Sequence, residues 1–274
     1  MVTQEQRKRQ LAREKFLRQQ QRRTAARRKA KMRNSVIASV LGVVVIGSVA
    51  LYTTGVLKND NKNKANASSQ TTPSAAPTSK APDPCAKPAA GSVQKLSWKK
   101  EPAMAIDTSA NYTMKLATTC GDIDVALKTS AAPHTVNSFD FLAGKGFFDH
   151  TKCHRLTTNG IYVLQCGDPT GTGSGGPGYT IPDENLKDKS LKGGVYPAGT
   201  VAMANTGQKH SGGSQFFLVY QDSQLPPSYT PFGTISASGL KVLKKIAAAG
   251  ESSGQGDGAP NATVVINKAT VTKS

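Results

Sequence analysis

Aromatic residues are scarce in this chain of 274 residues: they make up 6% of it, with a single tryptophan. Binding to single-stranded nucleic acid relies on aromatics interleaved with basic residues, so a net charge of +18 is not enough to indicate that class. Cysteine is also rare. Cys85, Cys120, Cys153 and Cys166 are spaced unlike any zinc motif, which argues against a metal site. Acidic residues are missing where basic ones crowd. Residues 1–33 hold thirteen Lys and Arg against only Glu5 and Glu14, so eleven of the eighteen net charges lie in this tail. From Val36 to Leu57 charge of either sign is absent over 22 positions.

That uncharged run has a dimension. At about 1.5 Å per residue it reaches roughly 33 Å, enough for a hydrocarbon core of about 30 Å. It lacks the polar stripe of a soluble amphipathic helix, so a transmembrane helix is expected over residues 36–57. The dense Arg/Lys flank makes residues 1–35 a basic cytoplasmic tail and puts the rest outside the cell membrane, single-pass. The run exceeds the apolar core of a cleaved signal, so an uncleaved anchor is favoured. The tail suits a topology determinant resting on anionic inner-leaflet lipid, and nucleic acid is not expected as a partner. All four cysteines fall on the outer, oxidising side, where one or two disulfides are expected; three complete pairings are open.

Residues 58–95 carry almost no large apolar side chain to bury and are expected to form a disordered linker. A domain over 96–274 follows, with its core at 111–274 and Trp98 packing at its edge. Tyr112–Leu116 and Ile123–Leu127 alternate like half-buried strands across a Cys120-Gly121-Asp122 turn. Pro133 opens a helix with Val136, Phe139, Phe141 and Leu142 near one face, and a second helix begins near Gly239. Many short strands with two separated helices predict a mainly β fold, a closed barrel plugged by helices.

Several segments in the domain form a recognisable series. Cys153-His154-Arg155-Leu156 is followed by Gln165-Cys166-Gly167-Asp168, Gly171-Thr172-Gly173, Asp183-Glu184-Asn185, Met203-Ala204-Asn205-Thr206 and Gly213-Ser214-Gln215-Phe216-Phe217. In this order, over about 160 residues, they resemble the cyclophilin signature. The resemblance implies an antiparallel eight-stranded cyclophilin-like barrel with two capping helices. It also implies a peptidyl-prolyl cis/trans isomerase that needs no cofactor and takes proline-containing segments of unfolded or exported proteins. The anchor and the Ala/Gly-rich content resemble a membrane-anchored bacterial, actinobacterial-like member.

The chemistry fits the residues. Rotation about an X-Pro bond must break amide resonance against a barrier of about 20 kcal/mol. Lowering it requires a grip on the proline ring, a hold on the flanking backbone and a donor at the twisted amide, and no nucleophile. The resemblance gives Arg155 the donor role, Gln165 its orientation and Asn205 the hold on the substrate main chain. It places Tyr162, Val163, Gly173, Ala204, Thr206, Gln215, Phe217, Leu225 and Tyr229 on the substrate. Tyr162 and Val163 are assigned by counting back from Gln165, across an interval from Arg155 two residues longer than the family pattern. Gln224 replaces the family's tryptophan beside the pocket leucine, which implies weakened binding of cyclosporin. The alternative class is a non-catalytic proline-binding chaperone or scaffold module; retention of Arg155 with Gln165, Asn205 and Phe217 favours catalysis.

Overall fold

The computed structural model describes residues 82–273. Among them no helix is long and apolar enough to cross a membrane. The span expected over 36–57, the tail before it and the linker as far as residue 81 lie outside the described residues.

Strand alternation builds the first hairpin. β1 (Tyr112–Thr118) and β2 (Gly121–Leu127) pair antiparallel, setting Met114 opposite Val125 and Leu116 opposite Ile123, all four fully buried. Pro133, pre-set for the first helical turn, opens α1 (Pro133–Gly144). Its N-terminus is capped from a distance: the Glu184 carboxylate accepts from the backbone N–H of His134 (3.0 Å) and Thr135 (2.9 Å) and from the Thr135 hydroxyl (2.8 Å). An anion at this end also meets the positive pole of the helix.

Four short strands precede the last hairpins: β3 (Thr151–Lys152), β4 (Arg155–Thr157), β5 (Val163–Cys166) and β6 (Val195–Tyr196). β7 (Thr200–Met203), β8 (Phe216–Val219), β9 (Ser223–Gln224) and β10 (Pro231–Ile235) follow. Ser236 caps α2 (Ala237–Ala248) by accepting from the Gly239 N–H, and Leu243 and Ile246 face inward. Gly239 lets the helix lie close on β2, because a Cβ there would press on the Ile123 backbone at 3.2 Å. β11 (Asp257–Gly258) and β12 (Val265–Lys273) end the chain's elements.

Ten strands form one curled sheet in the order β11-β4-β5-β8-β7-β10-β2-β1-β12-β3, and β6 and β9 form a separate ribbon. The architecture is mainly β with two helices, as expected, but the closed eight-stranded barrel is corrected to an open order of ten. Its ends are joined by the chain instead of a ladder. Cys153 N still donates to Val264 O, while the next residue, His154, donates to Gln165 O on the other end of the sheet. Phe139 of α1 fills the core against Phe148, Phe216 and Phe232, with ring centroids 5.2, 5.5 and 4.6 Å away.

The linker expectation also needs correction at its C-terminal end. Residues 82–95 lie against the domain as a strap. Thr263 N donates to Asp83, Ala86 N to Thr119 O and Ala89 N to the Asn267 side chain. Disulfides join Cys85 to Cys120 and Cys153 to Cys166. Trp98 continues the strap, stacking edge-on against Phe141 at 5.0 Å.

Candidate active site

The strands β5, β8 and β7 have two apolar faces, and their period of two decides what each residue does. Leu164, Phe216, Leu218 and Met203 point into the main core. Val163, Phe217, Val219 and Ala202 point the other way and, with Tyr196 and Leu225, form a second cluster. That second cluster is the floor of a pocket of about 190 Å³, lined by Arg155, Ile161, Val163, Gln165, Ala204, Asn205, Phe217, Leu225 and Tyr229.

The polar groups at its mouth form a chain. Arg155 and Gln165 are cross-strand partners on β4 and β5. Arg155 Nη1 donates to Gln165 Oε1 (3.2 Å), Gln165 Nε2 to Gln215 Oε1 (2.9 Å), and Gln215 Nε2 to Gly175 O (2.9 Å). On the other edge of the guanidinium, Nε and Nη2 donate to the two Asp257 oxygens at 2.7 and 2.8 Å. The Asp257 bonds push the Arg155 pKa up, and the Arg155 bonds push the Asp257 carboxyl down. The Cys153–Cys166 bridge ties the segment entering β4 to the end of β5, two residues before Arg155 and one after Gln165.

Tyr229 closes one side of the pocket, edge-on to Phe217 at 5.4 Å. Fully buried Tyr196 holds it there, donating its hydroxyl to Tyr229 O (2.8 Å) and accepting from Tyr229 N (3.3 Å). The Asn205 amide donates to Ser228 O, next to Tyr229, and its carbonyl accepts from Gly207 N, so it braces the two loops on each other.

Gln165, Ala204 and Asn205 also line a larger groove of about 670 Å³, together with Gly173, Thr206 and Gln215. Its outer wall is the glycine-rich loop after β5, organised by one fully buried carboxylate. Asp168 accepts from the N–H groups of Thr170 (2.7 Å), Thr172 (3.0 Å), Gly173 (2.6 Å) and Ser174 (3.1 Å), and from the Thr170 hydroxyl (2.8 Å). Burial alone would raise this carboxyl, but the donors from Thr170, Gly175 and Gly173 outweigh it and hold the pKa down at about 2. Gly175 must be a glycine, because a Cβ would overlap the Asp168 carboxylate.

Of the residues expected on the substrate, eleven of the twelve therefore fall in these two adjoining hollows and Tyr162 does not. Tyr162 points to the reverse face, edge-on to Tyr220 at 5.8 Å, beside a separate hollow. Residues 161, 163 and 165 share the pocket face, so Ile161 takes the place that counting back had given to Tyr162. Gln224 lies outside both hollows, with its amide donating to Gly193 O. The sequence reading also missed Asp257, Tyr196 and the organising role of Asp168.

An arginine held by a carboxylate and a glutamine stands over an aromatic floor, beside a backbone-lined groove. Comparison with known proteins gives the family. The family model for cyclophilin type peptidyl-prolyl cis-trans isomerase/CLD matches residues 113–271, and this chain belongs to that family. A probable peptidyl-prolyl cis-trans isomerase B of Mycobacterium leprae is 53% identical over 165 residues, covering 57% of this chain and 56% of the relative. Its counterpart in Mycobacterium tuberculosis H37Rv is 49% identical over 165 residues, covering 57% and 53%. The peptidyl-prolyl cis-trans isomerase B of Bacillus subtilis is 41% identical over 125 residues, covering 45% of this chain and 82% of the relative. The chain thus spans about half the length of the mycobacterial relatives it matches.

Proposed function

We propose that this protein is a peptidyl-prolyl cis/trans isomerase acting on X-Pro bonds of exported or cell-envelope proteins, held at the cell membrane by residues 36–57. The observation that carries the activity is Arg155 fixed at the mouth of the pocket floored by Phe217. Proline enters that apolar pocket, and the neighbouring chain lies along the groove of Ala204, Asn205 and Gln215. As the amide twists it loses resonance, its nitrogen pyramidalises, and an N–H of Arg155 stabilises the twisted state more than the planar one. Family membership and the mycobacterial relatives support this reading, and the uncharged run behind a basic flank supports the membrane location and an actinobacterial-like origin.

The test is isomerisation of a proline-containing peptide by the full chain, with Arg155→Ala beside it. Wild type should accelerate the exchange, and the variant should lose about 100-fold. No rate gain from wild type would leave a proline-binding module and remove the enzyme. Binding of cyclosporin is proposed to be weakened, since Gln224 turns its short polar side chain to Gly193 instead of covering the pocket rim.

A further inference from the structure

The polar chain at the pocket mouth has a member that the isomerase reading does not use. Asp257 sits on β11, which pairs with β4 so that Asp257 faces Thr157 and Gly258 faces Leu156. Arg155 is then the diagonal neighbour of Asp257 on the same face of the ladder, close enough for side chains to meet. The contact is bidentate, through Nε and Nη2. A guanidinium has five N–H groups; Asp257 takes two and Gln165 one, leaving one on Nη1 and one on Nη2 for a substrate.

The loop that presents Asp257 is itself built to a fixed shape. The Glu251 carboxylate accepts from Ser253 N and Gly256 N (2.5 and 2.8 Å), and Ser252 N donates to Ala259 O across the loop. Its tip docks on the turn between β4 and β5: Thr158 N donates to Gly256 O (2.9 Å). Gly256 has a φ of 90°, and a Cβ there would collide with Asn159. Thr158 and Asn159 belong to the turn that is longer than the family pattern. The turn and the loop that carries the aspartate are therefore docked on each other.

We propose that Asp257 is a positioning residue for the isomerase reaction, locking the outer edge of Arg155 so that its remaining N–H groups face the proline amide. This rests on the isomerase reading above. Two effects of the carboxylate oppose each other. It fixes the direction of the guanidinium, and it offsets part of its charge. The pair is about half exposed, with side-chain exposures of 38% and 56%, so solvent screens the charge effect strongly. The directional effect is not screened, and the loss from a misplaced group can be large. Direction wins.

The experiment uses the full chain and follows kcat and KM separately for a proline-containing peptide, with Arg155→Ala as the reference for loss of the donor. Asp257→Ala should lower kcat about tenfold with KM changed less than about twofold, because the apolar pocket is untouched. Asp257→Glu should recover part of that loss, since it keeps a two-oxygen acceptor. Gly256→Ala should copy the defect without altering the carboxylate. The Nε–H proton signal of Arg155 should move in Asp257→Ala and return toward its place in Asp257→Glu. An unchanged kcat in Asp257→Ala while Arg155→Ala shows its expected loss overturns this proposal alone, and so does a rise in KM at constant kcat. A wild type without rate gain overturns both this proposal and the isomerase reading.

Discussion

The two hollows share the wall of Gln165, Ala204 and Asn205, yet they are built by opposite means. The pocket floor is made of side chains standing on paired strands, and Phe217 there is one of several apolar groups that support one another. The groove is walled by a loop with no strand pairing, and its shape depends on one carboxylate that collects four N–H groups. The difference concerns where information is stored. Replacing an apolar residue in the pocket spreads its cost over many neighbours. Replacing Asp168 strands several donors at once.

The largest effect should come from breaking the groove. Asp168→Asn keeps the size but removes the charge and replaces one acceptor oxygen with an NH2 that faces other donors, so the domain should lose on the order of 3 kcal/mol in denaturant unfolding. The rate on a peptide extended beyond the proline should fall further than on a minimal one. Acid should do the same to wild type. The folded pKa of Asp168 is about 2 against an ordinary 3.8, so its contribution is complete above that ordinary value and fades as pH falls toward 2. Acid unfolding of Asp168→Asn with the same profile as wild type between pH 4 and 2 would remove this account.

A smaller effect is expected from the pocket. Phe217→Leu keeps an apolar floor and should cost about 1–2 kcal/mol of stability, with KM up about tenfold for short and extended peptides alike. A length-dependent loss there would erase the distinction between the two hollows. The smallest change lies at the rim. Cyclosporin should bind more weakly than to typical family members, and Gln224→Trp should restore part of the affinity with little change in isomerisation. An inhibition titration of wild type that gives ordinary family affinity refutes this.

Much of this was legible because periodicity is local. The hairpin of β1 and β2 and the buried side of α1 follow from alternation and helical spacing, and Met114, Ile123 and Phe139 lie where their patterns put them. Tyr162 falls off the pocket because 162 and 163 have opposite strand parity and cannot share one face, and in the register found it is 161, 163 and 165 that line the pocket. Residues 82–95 read as linker because composition reports burial of side chains. The strap is held instead by one backbone bond to Thr119 and by Asp83, Asn267 and a disulfide, contacts separated by up to 180 residues in sequence. Asp257 stands between two glycines with no motif around it; only the fold brings it to Arg155.

The Cys85–Cys120 bridge has a mechanical consequence. Tension that reaches Pro82 cannot peel away the strap as far as Trp98 one hydrogen bond at a time. It is diverted at Cys85 through a covalent link into the turn between β1 and β2, so residues 86–119 form a closed loop that carries none of the load. The domain can be pulled by its leading end without that pull being spent on unzipping its first strand.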